Sequence, residues 1–101
     1  MDHVTTFTFQ AQPGKSGSVI EHFERWEREQ KAKATGFQHS LLVSSNANPD
    51  QFTAVVQFDS TENYQKNSDR AEINAWYQGL RADLIADPVW FNGTIARETR
   101  A

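Results

Sequence analysis

Residues 58–77, FDSTENYQKNSDRAEINAWY, decide the fold because they contain the end of a strand, a helix, a break and the start of a second helix. Ser60 follows the strand and is a good N-cap, which predicts a short helix over residues 61–66. The pair Asn67-Ser68 predicts a break. Asp69 then has the spacing to Glu72 of a capping box, which predicts a new helix.

The second helix of this stretch is amphipathic. Its apolar residues recur at helical spacing and form one stripe, made of Ile73, Trp76, Tyr77, Leu80 and Leu84. Asp87-Pro88 predicts its end, because the residue before proline is disfavoured in a helix. This stripe predicts a face that packs on a sheet.

The remaining segments complete an alternating order of strands and helices. Period-two patterns and turn residues predict strands at residues 4–11, 37–45, 51–58 and 89–97. A helix is predicted from Ser16 or Ser18 to about Ala34, with Ser18 and Glu21 as a capping box and Gly36 as the stop. The order β-α-β-β-α-β predicts an α+β fold, the ferredoxin-like plait, with an antiparallel sheet and both helices on one face.

Composition limits the classes of function. The chain has 101 residues, which predicts one domain over residues 1–101. It has no cysteine, which excludes disulfides, thiol catalysis and Cys-ligated metal. A net charge of -3 with interleaved acids and bases argues against nucleic acid as a partner. The sequence has no apolar run long enough to predict a membrane span, and the simplest expectation is a cytoplasmic protein.

The face of the sheet opposite the helices lacks a cover within one chain. Along the strand at residues 37–45, alternation places Phe37, His39, Leu41 and Val43 on one face. Apolar residues occur in both alternate registers of the strands, so neither face is purely polar. A small sheet with two partly apolar faces predicts a partner, and we expect a homodimer.

Several short motifs together resemble a known family, the antibiotic biosynthesis monooxygenase (ABM) domain family of the dimeric α/β barrel superfamily. They are the strand leading into Pro13-Gly14, the strand entry at residues 35–37, the strand-to-helix corner at 58–60 and the break at 67–70 followed by Trp76. The resemblance implies that two plaits pack sheet to sheet and that a ligand cavity lies between sheet and helices.

The same resemblance implies an activity. The family includes cofactor-independent oxygenases of polycyclic phenols and quinols, haem-degrading enzymes and members without known activity. Many members have His or Trp where this chain has Asn67, and haem-degrading members use an Asn on the first strand and a His near the position of Trp76. This chain has neither of the latter, so we expect that it does not degrade haem.

Six side chains are candidate ligand-binding residues, and each also has a structural interpretation; they are Tyr64, Asn67, Arg70, Trp76, His39 and Asn92. Trp76 either packs in the core or walls a cavity for a flat aromatic ligand. Tyr64 either covers that cavity or anchors the short helix. We predict that the cavity lies at the corner between the two helices.

Each polar candidate also has two interpretations. Arg70 either pairs with Asp69 or Glu72 at the surface or holds an anionic ligand group. His39 is more typical of a structural histidine than of a base. Asn92 either lines the interior as a binding residue or is placed there by the alternation of the strand alone. The three histidines have no metal-ligand spacing.

Two functions remain open. One is a cofactor-independent monooxygenase acting on an aromatic or quinol-like molecule, with no cofactor and no metal and with its catalytic residues unknown. The other is a non-catalytic dimeric module that binds a small ligand or serves structure only, and Asn67 in place of His favours it slightly.

Overall fold

The computed structural model describes residues 2–101 and confirms the ferredoxin-like α+β plait. Its elements in chain order are β1 (His3–Gln10), α1 (Ser16–Glu29), β2 (Phe37–Ser44), β3 (Gln51–Phe58), α2 (Thr61–Ser68), α3 (Ala71–Ala82) and β4 (Val89–Thr94). The four strands form one sheet in the order β2-β3-β1-β4, and every neighbouring pair is antiparallel.

The core lies between one face of this sheet and the helices. β1 alternates strictly, with its odd-numbered residues from His3 to Phe9 buried and its even-numbered residues partly exposed. The buried cluster joins β1 and β3 to α1 and α3 and consists of Phe7, Phe9, Ala11, Val19, Phe52, Ala54, Leu80 and Leu84. The apolar stripe predicted on α3 and the apolar residues of α1 therefore cover the same face of the sheet.

β2 corrects the predicted alternation. Its pairing with β3 shifts by one residue between Phe37 and His39, which is a β-bulge at Gln38. Phe37 pairs with the buried Phe58, whereas His39 pairs with Gln57 on the opposite face of the sheet. Because a one-residue slip exchanges the faces, His39, Leu41 and Val43 do not share a face with Phe37.

The entry into β2 depends on Gly36. Its φ of +80° lies in the left-handed region, and its carbonyl accepts a 2.8 Å hydrogen bond from the backbone N–H of Asp59. A Cβ added at Gly36 would come within 2.3 Å of the Asp59 side chain and 2.7 Å of Asn63. Gly36 thus brings the start of β2 against the corner between β3 and α2.

The predicted helix after β1 is shorter than expected. α1 ends at Glu29 and a single 3₁₀ turn, Lys31–Lys33, follows it. Its N-cap is Lys15, without a side-chain hydrogen bond, so the expected capping box at Ser18 is wrong. Ser18 Oγ instead donates a 2.5 Å hydrogen bond to Asp83, to which His22 Nε2 also bonds at 2.9 Å. These contacts attach α1 to the end of α3.

Candidate functional site

A cavity of about 290 Å³ lies between the sheet and the three helices. Its walls are mostly aromatic, and the rings come from β1, α1, β2, β3, α2, α3 and β4: Phe7, Phe23, Trp26, Phe37, Phe58, Tyr64, Trp76, Tyr77 and Trp90. Cavities that bind small organic ligands are usually of this apolar kind, with a few polar groups, and this one is at the small end of their range. Its aromatic walls suit an aromatic molecule.

The rings of the cavity wall hold one another in place. Trp76 meets Phe23 edge to face at 5.2 Å, and Trp90 stacks on Phe7 with ring centroids 4.4 Å apart. Trp76 also donates a 2.7 Å hydrogen bond from its indole N–H to the backbone carbonyl of His22 on α1. Since its ring contacts Phe23, its N–H is bonded and it also lines the cavity, Trp76 belongs to the core and to the cavity wall at once.

The corner between α2 and α3 supplies the polar side of the cavity. Ser60 caps α2 as predicted, because its hydroxyl accepts a 3.1 Å hydrogen bond from the backbone N–H of Asn63. The break comes two residues later than predicted, since α2 continues to Ser68. Asp69 is the C-cap of α2 rather than the N-cap of α3, and Arg70 takes that position with extended backbone and no side-chain cap.

The later break places Asn67 inside the last turn of α2, where it is 8% exposed and lines the cavity. Its side-chain oxygen accepts a 3.2 Å hydrogen bond from Arg70. Its side-chain NH₂ group takes part in none of the side-chain hydrogen bonds found within residues 2–101. That group is a donor available to a ligand, because an amide nitrogen carries two N–H bonds.

Arg70 does not line the cavity, and instead it links three polar side chains from outside the cavity wall. Besides Asn67, its guanidinium donates a 2.8 Å hydrogen bond to Gln30 at the end of α1 and lies 3.4 Å from Glu72. The Glu72 carboxylate in turn accepts from Lys33, and that contact, with smaller contributions from Gln30 and Arg70, lowers the pKa of Glu72. Arg70 therefore orients Asn67 from the outer side.

A chain of polar side chains that sequence reasoning missed enters the cavity from β1. His3 is 3% exposed and stacks on Tyr64 with ring centroids 4.3 Å apart. Its ring nitrogens lie 3.1 Å from the Thr61 hydroxyl and 2.7 Å from the Thr5 hydroxyl, and Thr5 lines the cavity. Thr5 donates a 2.6 Å hydrogen bond to Asn92 on β4. Burial lowers the pKa of His3, and the nearby Asn92 side chain only partly opposes that effect.

The structure separates the six predicted candidates into three groups. Tyr64, Asn67 and Trp76 line the cavity. Arg70 and Asn92 do not line the cavity, but each is hydrogen-bonded to a residue that does: Arg70 to Asn67, and Asn92 to Thr5. His39 lies outside it, because the bulge at Gln38 turns His39 to the opposite face, where it is exposed.

One signal in the sequence could have found the missed residues. The predicted first strand began at residue 4, whereas β1 begins at His3. Extending the alternation of Phe7 and Phe9 backwards by two and four residues puts Thr5 and His3 on the buried face. A buried histidine beside a buried threonine on the cavity side would then have been a candidate pair.

Two further findings concern the described residues 2–101. No helix in that range is both long enough and apolar enough to cross a membrane. No group of three His, Asp or Glu side chains there converges in a way that could hold a metal ion.

Comparison with known proteins gives structural relatives only. No family model matches the chain. No curated protein matches it either.

Solved structures share the whole fold at low identity. A variant of SnoaB, a cofactor-independent oxygenase from Streptomyces nogalater, aligns with a TM-score of 0.85 and 13% identity over 96% of this chain and 95% of that chain. A candidate antibiotic biosynthesis monooxygenase from Caulobacter crescentus CB15 gives 0.84 and 14% over 95% and 91%. One from Bordetella bronchiseptica gives 0.81 and 16% over 95% and 98%. The chain therefore has the fold of ABM-domain structures, as its sequence motifs predicted.

Proposed function

We propose that the protein is a single ABM-like domain that acts as a cofactor-independent monooxygenase on an aromatic or quinol-like small molecule. The observation that carries the proposal is the aromatic cavity of about 290 Å³ that has the side-chain NH₂ group of Asn67 in its wall. The structural likeness to an oxygenase of Streptomyces nogalater supports it as analogy, since one fold serves many functions.

The chemistry requires two things of the cavity, a hydrogen-bond donor and the exclusion of water. A ring-bound CH₂ group reacts with O₂ to give a ketone and water, so both hydrogens leave with one oxygen atom. An ionised phenol activates that carbon, and its negative oxygen needs a hydrogen-bond donor, a role that we assign to Asn67. The surrounding rings of Trp76, Tyr77 and Phe23 keep water from the reacting carbon.

The second candidate is a module that binds the same kind of molecule without reacting with it. Asn67 favours it, because many ABM-like chains have His or Trp there and an amide cannot act as a base at neutral pH. Both candidates share the aromatic ligand and differ in the consumption of O₂.

Two measurements distinguish them. Anaerobic titration with anthrones and quinols, followed by tryptophan fluorescence, measures binding alone. An oxygen electrode then measures uptake, and the monooxygenase predicts one O₂ consumed for each ketone formed. Saturable anaerobic binding without O₂ uptake above the uncatalysed rate would refute the monooxygenase and support the binding module. No binding by any compound in the panel would refute both candidates.

We also propose that two copies of the chain pack through the open face of the sheet. Four apolar side chains on that face are at least half exposed: Leu41 50%, Val43 50%, Val89 75% and Phe91 67%. They belong to the edge strands β2 and β4, and their partners on β1 and β3 include Thr6, Thr8, Thr53 and Val55. Burying such an apolar surface favours association, and an isologous dimer covers it twice.

The assembly can be tested with a pair of variants. Phe91→Glu places a charge on the open face, whereas Ile85→Glu places one at a similarly exposed apolar residue outside the strands. We expect light scattering to give twice the 11.5 kDa chain mass for the wild type and Ile85→Glu, and a monomer for Phe91→Glu. A wild-type monomer at micromolar concentration would refute the dimer.

A further inference from the structure

The polar chain Thr61–His3–Thr5–Asn92 runs from the surface at Thr61 to the edge strand at Asn92 and contributes Thr5 to the cavity wall. Thr61 is exposed at the start of α2, His3 and Thr5 are 3% and 1% exposed, and Asn92 lies on the edge strand β4. Buried polar groups are costly unless they are hydrogen-bonded, and here each is bonded to the next. An apolar residue at the position of Thr5 would have avoided that cost.

The bonds within the chain determine what Thr5 can offer to a ligand. Its hydroxyl hydrogen points to the Asn92 side-chain oxygen. Because a hydroxyl has one hydrogen, the 2.7 Å contact with His3 Nε2 requires His3 to be the donor. Neutral His3 then accepts at Nδ1 from Thr61. The Thr5 oxygen accepts one hydrogen bond from His3 and keeps a second lone pair.

We propose that Thr5 is the hydrogen-bond acceptor of the cavity for an aromatic hydroxyl, and that His3 and Asn92 are positioning residues that hold its lone pair ready. The inference rests on the proposed aromatic ligand and deepens it, since it names a neutral hydroxyl donor as the group that is recognised. The cavity then offers an acceptor at Thr5 on the sheet and a donor at Asn67 on α2.

Tyr64 strengthens the arrangement. Its ring lines the cavity, stacks on His3 at 4.3 Å and meets Phe58 edge to face at 5.6 Å. Because Tyr64 is packed between His3 and Phe58, its ring cannot rotate freely, and its stacking on the imidazole keeps the His3 N–H directed at Thr5. Selection between ligands follows, because a site with a fixed acceptor binds a hydroxyl better than an ether of the same shape.

The test compares a ligand that has a hydroxyl donor with one in which a methyl group replaces the hydroxyl hydrogen. 2-Naphthol has a hydroxyl that is neutral at pH 7, like a tyrosine phenol, and 2-methoxynaphthalene has an oxygen without a hydrogen. We expect the wild type to bind 2-naphthol about 2- to 12-fold more tightly, the factor of one hydrogen bond. Thr5→Val should abolish this preference, and Thr5→Ser, which retains the hydroxyl, should keep it.

His3 is tested through the same preference. His3→Leu removes the donor to Thr5 and should reduce the 2-naphthol preference, while His3→Gln, which can donate from its amide, should keep part of it. A merely structural role would change the affinity for both ligands equally and leave their ratio unaltered. If Thr5→Val does not fold, Asn92→Leu on the exposed edge strand tests the orientation of Thr5 by the same ratio.

The outcomes separate the two proposals. If neither naphthalene binds to the wild type, the aromatic ligand class is refuted and this inference fails with it. If both bind with equal affinity, or if Thr5→Val keeps the wild-type preference, the cavity still binds aromatics but Thr5 is not its acceptor.

Discussion

Replacement of Trp76 tests whether one residue serves both the core and the cavity. Trp76→Ala removes the 2.7 Å hydrogen bond to the His22 carbonyl and the edge-to-face contact with Phe23 at 5.2 Å. The hydrogen bond contributes about 0.5–1.5 kcal/mol and the aromatic pair about the same. Loss of a fully buried Trp costs about 3–5 kcal/mol, and Trp76 is only partly buried. We therefore expect a loss of about 2–3 kcal/mol in the free energy of unfolding.

This loss should be visible in thermal denaturation. For a domain of this size, each kcal/mol lowers Tm by about 4–8 °C, so Trp76→Ala should melt at least about 8 °C below the wild type. Trp76→Phe keeps a ring in the wall and loses the indole N–H, so its loss should be about 1 kcal/mol. Urea denaturation of the three proteins provides the free energies.

Ligand affinity should follow a different order from stability. Trp76→Ala should weaken binding of 2-naphthol by about 1–3 kcal/mol, or roughly 5- to 150-fold, whereas Trp76→Phe should keep most of the affinity. Phe9→Leu is the control, because Phe9 is 4% exposed in the core and does not line the cavity. It should lower Tm without changing affinity. Equal affinity losses in Phe9→Leu and Trp76→Ala would refute the cavity wall.

Three further predictions follow from other contacts. The pKa of His3 is lowered in the folded protein, so the unfolded chain binds more protons at this residue. The free energy of unfolding should therefore fall as the pH drops below about 6.5. Urea denaturation of His3→Gln should show a smaller fall over the same pH range. Arg70→Ala should lower the free energy of unfolding by about 1–2 kcal/mol, because it removes the bonds to Asn67 and Gln30, and Arg70→Lys should be intermediate; an unchanged melting curve would contradict this. Titration with haem should give no stoichiometric Soret shift and no turnover with reductant, because β1 carries no Asn; a sharp shift with turnover would contradict the expectation.

Most of the fold was predictable because its signals are local and repeated. Phe7 and Phe9 alternate on β1, and Trp76 and Leu80 recur at helical spacing on α3, so each element is indicated by several residues. The order of elements then leaves few arrangements, and the plait is confirmed.

The errors occurred where one residue changes the geometry. The bulge at Gln38 reverses the faces of β2, and Gln38 itself carries no turn signal. The break was predicted at Asn67 but lies at Asp69, because Asn67 and Ser68 continue the helix. Arg70 bonds to Asn67 from outside the cavity. Such contacts join residues that only the tertiary structure brings together.

The candidate site was predictable in part for the same reason. Tyr64, Asn67 and Trp76 were found because they surround a helix break, which is a local feature. The pair of His3 and Thr5 was not, since their relation to the cavity depends on Asn92, far along the chain on the neighbouring strand. A single sequence does not show which buried strand residue is opposite which.

A crystal structure of the protein with 2-naphthol tests the central claim most directly. We expect the naphthalene ring between Trp76 and the sheet, with its hydroxyl within about 3 Å of the Thr5 hydroxyl. A ligand seated on the open face near Leu41, or in the outer groove between α1 and β2, would contradict it.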